Sequence, residues 1–370
     1  MSMAFLFMAI LARQNAAGCG ASICSQILEL SLLMRSDGKA FFIAISMIVS
    51  PILGFLRRYR TDLKNLYTIA PWRSQIRASE SMAYADYTLI CIPYDSGYRN
   101  LRMGAGPSHL IAAGAASRLE PFGTVSLTTL EAHLPFKTEI GTAFELHREG
   151  AAAVSACLMN AGRPIVLAGN CNSSLGTVAG IQCAEPDVPL GVILFDGHGD
   201  CNTPETFEGD FLDAMGISTL TGRCWQALAS TVQGFRPIPD ENVILVGGHG
   251  ADEGAERVLS KSAIRRVPPQ SDIFGDLSRA LDQFEKHGVQ RIYLHLDLDV
   301  LDPTFGRANN FVPDGGLSPS TLKKCVWMIA NRCTVTALAI ASYDPAEDTT
   351  GSVANTALEV LSIVSLSQNS

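Results

Sequence analysis

The chain has 370 residues, 47% hydrophobic and 17% charged, enough to bury a large core as one α/β domain or two smaller ones, and a disordered polymer is excluded. A formal charge of −8 with one dense basic run, Arg57 to Arg60, excludes a general binder of nucleic-acid phosphates. Ten cysteines with no Cys-x-x-Cys pair read as reduced thiols of a cytoplasmic protein rather than a disulfide or zinc framework. In chain order, residues 1–81 come first and differ from the rest. Ala40 to Leu56 is charge-free over 17 residues and runs into Arg57 and Arg58. At about 1.5 Å per residue it only approaches the ~30 Å hydrocarbon thickness, and Ser46 and Pro51 weaken it further. Two readings follow: a membrane anchor at 40–56 with its basic flank in the cytoplasm, or an extension upstream of a natural start at Met82.

From Tyr87 onward, short apolar runs alternate with helical stretches. Tyr87 to Ile92, Pro164 to Gly169, Gly191 to Asp196, Asn242 to Gly247, Arg291 to Asp299 and Val335 to Ser342 read as buried strands. Pro107 to Leu119, Ala143 to Ala161, Phe274 to His287, Ser318 to Asn331 and Ser352 to Val364 read as helices. This alternation predicts a parallel sheet covered on both faces, with residues 82–370 as one domain.

The chemistry gathers where those runs end. Asp196, His198 and Asp200 follow one apolar run at every second position, so an extended chain would point all three side chains to one side. Asp297 and Asp299 repeat the spacing after a second run, and Asp302-Pro303 then turns the chain away. Open parallel sheets bind ligands at the carboxyl ends of their strands. Four carboxylates brought together there repel one another unless cations neutralise them. Oxygen donors with one imidazole suit Mn²⁺ better than a thiolate-preferring ion, and two divalent ions would use the set. A calcium loop at 297–308 is excluded, because Leu301, Asp302 and Ala308 occupy positions where such a loop needs an oxygen ligand, glycine and glutamate. No nucleophile elbow, phosphate loop or dinucleotide fingerprint is present.

Five stretches, Ala168 to Gly176, Asp196 to Pro204, Gly250 to Gly254, Leu296 to Pro303 and Tyr343 to Pro345, together resemble the ureohydrolases, the arginase and agmatinase family, over about residues 86–366. The resemblance implies a three-layer α/β/α sandwich around a mostly parallel sheet of about eight strands. It implies that Asp196 and Asp297 bridge two Mn²⁺ ions, that Asp200 completes one site, and that His198 and Asp299 complete the other. Asn202 and Asp252 fall where relatives hold the amino-acid end of a small guanidino substrate, and relatives assemble as trimers or hexamers.

Three positions depart from the family pattern. Cys171 stands where the first metal's histidine is usual, and it is either a thiolate ligand that softens the site toward Zn²⁺ or Fe²⁺, or a small buried hydrophobe. Asp213 stands near the place of a proton-shuttling histidine. Ser342 replaces the glutamate that grips the guanidinium, and Glu205, Glu208, Asp213 and Glu347 are acids that could stand in for it. His133 and His249 are spare candidates for acid–base work, each also readable as an ordinary loop histidine. The expected activity is hydrolysis of a linear C–N bond in a guanidino or amidino compound by metal-bound hydroxide. Asp200 would orient the hydroxide, and Asp213 or a histidine would protonate the leaving amine. The alternative is a non-catalytic family member acting as a subunit or regulator, favoured by Cys171 and Ser342 and opposed by the five intact ligands.

Overall fold

In the computed structural model, which describes residues 85–134, 138–207, 209 and 211–368, the apolar runs align as one eight-stranded parallel sheet. The strands are Ala85–Ile92 (β1), Gly123–Thr129 (β2), Arg163–Ala168 (β3), Leu190–Asp196 (β4), Val243–Gly247 (β5), Arg265–Val267 (β6), Arg291–Asp297 (β7) and Thr334–Ala341 (β8). Their order across the sheet is β2-β1-β3-β8-β7-β4-β5-β6. The proposals about residues 1–81, the 40–56 segment and Glu208 lie outside the described residues. Among the described residues no helix is long and apolar enough to cross a membrane.

Side chains alternate across each strand, so each strand feeds two cores. Ile193 and Phe195 of β4 join one apolar layer with Leu294 and Leu296 of β7, while Val192 and Leu194 join the other. Three helices cover this second layer: Glu139–Met159 (α1), Ser174–Ala184 (α2) and Glu253–Leu259 (α3). Ile273–Lys286 (α4), Pro319–Ala330 (α5) and Ser352–Gln368 (α6) cover the first. Capping side chains start several of these helices: Thr138 accepts from Gly141 N–H at α1, Asp252 from Ala255 at α3, and Ser318 from Thr321 at α5.

The structure differs from the sequence reading at a few boundaries. The helix expected over Pro107 to Leu119 is broken into Gly106–Ala112 and Ala115–Leu119, because Gly114 turns left-handed at φ 105°. Strands β2 and β6 lie at the two edges of the sheet. Neither stands out as an apolar run: Gly123–Thr129 is largely exposed and polar, and Arg265–Val267 holds three residues. β7 ends at Asp297 rather than Asp299, since Leu298–Val300 tightens into a 3-10 turn.

Candidate metal and substrate site

β3, β8, β7 and β4 are four consecutive strands of the sheet, and the site forms in the loops that leave their carboxyl ends. One local device builds both acidic clusters. Asp196 accepts a hydrogen bond from the N–H of His198 (2.6 Å), and Asp297 accepts one from the N–H of Asp299 (2.8 Å). An aspartate at a strand end thus closes a tight turn over its own following residue, and the second residue of the pair points back into the site. The N–H of Gly197 donates to Asp299 Oδ1 (2.9 Å), tying the two turns together. A side chain at position 197 would stand 2.6 Å from the Asp299 carbonyl, which explains the glycine. Asp196, His198 and Asp200 are therefore not brought to one side by an extended chain as their spacing suggested: the chain bends after Asp196, and Asp200 sits at φ 44°.

The predicted ligands meet in two overlapping groups. Cys171, Asp196 and Asp200 offer donor atoms all within 4.8 Å of one another, as do Asp196, His198 and Asp299. Asp297 lies beside the first group, with Cys171 Sγ 2.6 Å from its Oδ2. His198 Nδ1 is 3.2 Å from Asp299 Oδ2 and 3.7 Å from Asp196 Oδ1, and its Nε2 lies 3.0 Å from the Phe311 carbonyl.

The electrostatics follow from burial and crowding. Burial, then the Asp299 charge, pushes Asp196 up to about 7. Burial and the surrounding aspartates push Asp200 and Asp297 well above the usual carboxylate range, and the Cys171 thiol well above its own. Burial alone would lower His198, but Asp299 and Asp196 raise it to about 10. Asp299 would likewise rise on burial, yet the His198 cation and hydrogen bonds from His198, Asp297 and Gly197 hold it low. A site that must keep protons on its acids in order to stay buried is one that a cation would relieve. Asp196 Oδ2 has no hydrogen-bond partner in a residue that is 0% exposed. The donor set therefore fits divalent cations.

The residues assigned to substrate line a cavity of about 190 Å³ beside this cluster. Asp200, Asp213, Asn202, Asp252 and Ser342 all reach it, with Phe207, Phe211 and Phe311 forming an apolar wall. Phe211 and Phe311 stack at 5.6 Å between ring centroids. Asn202 donates to both Asp252 oxygens (3.1 and 2.9 Å), so the pair is held together at the start of α3. Asp213 accepts from the N–H of Asn172 (2.6 Å) and from the Asn170 amide (2.9 Å), and burial lifts it to about 7.

Other candidates stay apart. His133 and Glu205 are exposed and do not line the cavity, and Glu347 pairs with Arg307 at 3.9 Å. His249 lies next to the cavity residue Gly250 but does not line the cavity, and neither of its ring nitrogens has a hydrogen-bond partner.

Three features of the site were not found in the sequence. His295, 0% exposed, places Nε2 3.0 Å from Cys171 Sγ. Its position two residues before Asp297, at the same period-two spacing, was an available signal. Asn309 donates to Asp299 Oδ2 (3.3 Å) and to the Ser342 carbonyl (2.8 Å), and Asp95 holds Arg102 through two bonds (2.8 and 3.1 Å). No local pattern marks either.

Comparison with known proteins agrees with this geometry. Residues 85–366 match the sequence pattern of the Arginase family. The chain is 28% identical to an arginase of Bacillus caldovelox over 302 residues, which is 74% of this chain and 96% of that protein. It is 33% identical over 153 residues to the N(omega)-hydroxy-L-arginine amidinohydrolase of Streptomyces lavendulae, covering 41% of this chain and 51% of that one. The solved structure of the Bacillus caldovelox arginase superposes with a TM-score of 0.67 at 25% identity, over 76% of this chain and 98% of the other.

Proposed function

The chain belongs to the arginase family, and from that premise we propose that it hydrolyses a linear C–N bond of a guanidino or amidino compound with a pair of divalent cations, Mn²⁺ in at least one position, releasing urea or a substituted urea and an amine. The observation that carries this reading is the group of five buried carboxylates, Asp196, Asp200, Asp213, Asp297 and Asp299, at the carboxyl ends of β4 and β7 and in the segments that leave them. In this reading Asp196, His198, Asp200, Asp297 and Asp299 would hold the two ions. A cation pair held there would lower the pKa of water toward about 7 and so supply a nucleophile at neutral pH.

The chain's own residues do the rest. Asp200 accepts a hydrogen bond from the attacking water and aims it at the trigonal carbon. Asp213, held near about 7 by burial, can carry a proton at neutral pH and give it to the leaving nitrogen. The Asn170 and Asn172 bonds keep its carboxyl facing the cavity rather than turning away. Asn202 and Asp252 hold the far end of the substrate, with the Asp252 carboxylate suited to an ammonium group. The phenylalanine wall keeps bulk water off the reacting carbon.

Ser342 presents a hydroxyl at the place where the family resemblance puts a carboxylate, so the guanidinium loses its anionic partner there. A modified guanidine, such as a hydroxyguanidine or an ω-guanidino acid, then competes with arginine as substrate. The relative named for N(omega)-hydroxy-L-arginine makes the hydroxyguanidine the first compound to try.

The test uses the full chain loaded with Mn²⁺. Urea or substituted-urea release is measured from arginine, hydroxyarginine, agmatine, guanidinobutyrate and guanidinopropionate, with Asp297→Ala as the blank. Turnover of one compound that the variant lacks is the expected result. Silence across the panel from folded, metal-loaded protein would overturn the proposal.

A further inference from the structure

Cys171 is surrounded by polar groups in a way that a structural cysteine does not require. Its Sγ lies 2.6 Å from Asp297 Oδ2, 3.0 Å from His295 Nε2 and 3.2 Å from Ser342 Oγ. A thiol has one hydrogen, and only one of these contacts can use it. Toward the others the sulfur must accept, which a thiolate does far better than a thiol.

The same residue is also clamped from behind. The other ring nitrogen of His295, Nδ1, is 2.7 Å from the Tyr293 hydroxyl and 3.2 Å from Ser174 Oγ. Tyr293 and Ser174 hydroxyls lie 3.1 Å apart, and Ser174 donates to the Cys171 carbonyl at 2.7 Å. The contacts close a ring that starts at the Cys171 sulfur and returns to its own carbonyl. Every member is at most 2% exposed, so no water competes for the bonds. A ring of this kind allows the thiol one orientation, toward Asp297 and the donor group it forms with Asp196 and Asp200.

We propose that Cys171 is a thiolate ligand of one of the two cations, that His295 is the positioning residue holding its sulfur, and that this site takes a borderline-soft divalent ion such as Zn²⁺, Co²⁺ or Fe²⁺ ahead of Mn²⁺. The proposal rests on the two-cation reading of the site. The hydrogen between Sγ and Asp297 Oδ2 lies between two groups that both ligate cations in their deprotonated forms, and ligation displaces it. With a thiolate in place, His295 Nε2 carries its hydrogen toward the sulfur, and Nδ1 accepts from Tyr293. Asp196, with its unpartnered Oδ2, supplies the second donor independently of the cysteine. One thiolate among oxygens shifts the preference of a site away from the hard Mn²⁺ ion.

The test is a titration of the metal-free full chain with Co²⁺, followed by absorbance. The expected result is a sulfur-to-cobalt charge-transfer band in the near ultraviolet that Cys171→Ser abolishes, while visible bands from the cation at Asp196, His198 and Asp299 persist. His295→Gln and Tyr293→Phe should keep the band and weaken Co²⁺ at that site by about 10–100-fold, the usual effect of losing a residue that orients a ligand. Tyr293→Phe removes only a hydroxyl and keeps the ring in the core, so it separates positioning from misfolding. The ratio of Zn²⁺ to Mn²⁺ affinity, read by competition, should fall in Cys171→Ser. Visible cobalt bands without the charge-transfer band in the parent protein would overturn the thiolate and leave the two-cation reading standing. No cobalt binding at all would overturn both. Unchanged affinity in both His295→Gln and Tyr293→Phe would overturn the role given to His295.

Discussion

The middle of the sheet and its carboxyl edge are built from the same strands and obey opposite rules. Midway along the strands, Leu194, Leu245 and Leu294 lie fully buried among other aliphatic side chains, and each removes apolar surface from water at no electrostatic cost. Two to five residues further along, β4, β7 and the turn that follows β7 deliver Asp196, Asp297 and Asp299 to buried positions. Carboxylates there have lost their hydration and face one another. The middle of the sheet therefore supports the fold, while its edge is a place where stability has been given up for chemistry. Substitutions in the two regions should move stability and function in opposite directions.

The largest effect expected on stability is from Leu294→Ala in β7. Deleting a fully buried leucine should cost about 2–5 kcal/mol, depending on how far the neighbours close the gap. Chemical denaturation should show that loss, and cation stoichiometry should stay as in the parent. A changed stoichiometry in Leu294→Ala would mean that middle and edge are not separable.

Asp200→Asn should do the reverse. Removing one acid from a crowded buried group should stabilise the metal-free protein at pH 8 by about 0.5–2 kcal/mol, the range common for relieving a functional strain. The same variant should lose the cation beside Cys171, read by calorimetric titration. A destabilised Asp200→Asn would show that its carboxyl is held by bonds that outweigh the repulsion.

The pH dependence of the metal-free protein sharpens the contrast further. Asp196 and Asp213 stand at about 7 in the folded chain, against an ordinary value of 3.8. Between those values the folded state binds more protons than the unfolded chain, so stability falls as pH rises. The contribution of these two groups is full below about 4 and gone above about 7; Asp200, Asp297 and, above about 6.5, His198 act in the same direction, while Asp299 and the buried His147 and His295, both held down to about 3 by burial, act against it. Thermal melts of the metal-free parent and of Asp213→Asn, compared at each pH, should show the decline, the parent losing stability relative to the variant as pH rises from about 4 to about 7. Added Mn²⁺ should reverse it most strongly at high pH, where the cation meets deprotonated ligands, by about 2.7 kcal/mol at a hundredfold excess over Kd. A parent protein that gains stability relative to Asp213→Asn between pH 5 and 7 would contradict the assignment.

The smallest effect comes from a residue that belongs to neither region. Thr138→Ala removes the side chain that caps α1 through Gly141 N–H (3.0 Å) and should cost about 1 kcal/mol without touching cation binding or turnover.

Most of the fold was legible because its signals are local. Six of the eight strands announce themselves as apolar runs, and the two edge strands do not, since Gly123–Thr129 faces solvent with threonine and serine and Arg265–Val267 is too short to carry a pattern. Asp196, His198, Asp200, Asp297 and Asp299 were legible for the same reason: acids spaced by two after buried strands are conspicuous within ten residues of sequence. Asp213 was placed only loosely, because its tie to Asn170 and Asn172 spans more than forty residues of loop and strand.

By itself, then, the sequence determined the alternation of strand and helix, the parallel sheet and the two acidic clusters, all of which depend on patterns between near neighbours. The tertiary structure alone decided what surrounds the Cys171 sulfur. His295 is 124 residues away and Ser342 is 171 away, and they reach its sulfur because the strand order puts β8 between β3 and β7. That order is set by which strand's backbone pairs with which and by how the helices cover the two faces. Backbone hydrogen bonds are the same for every residue, so no short stretch of side chains records their partners.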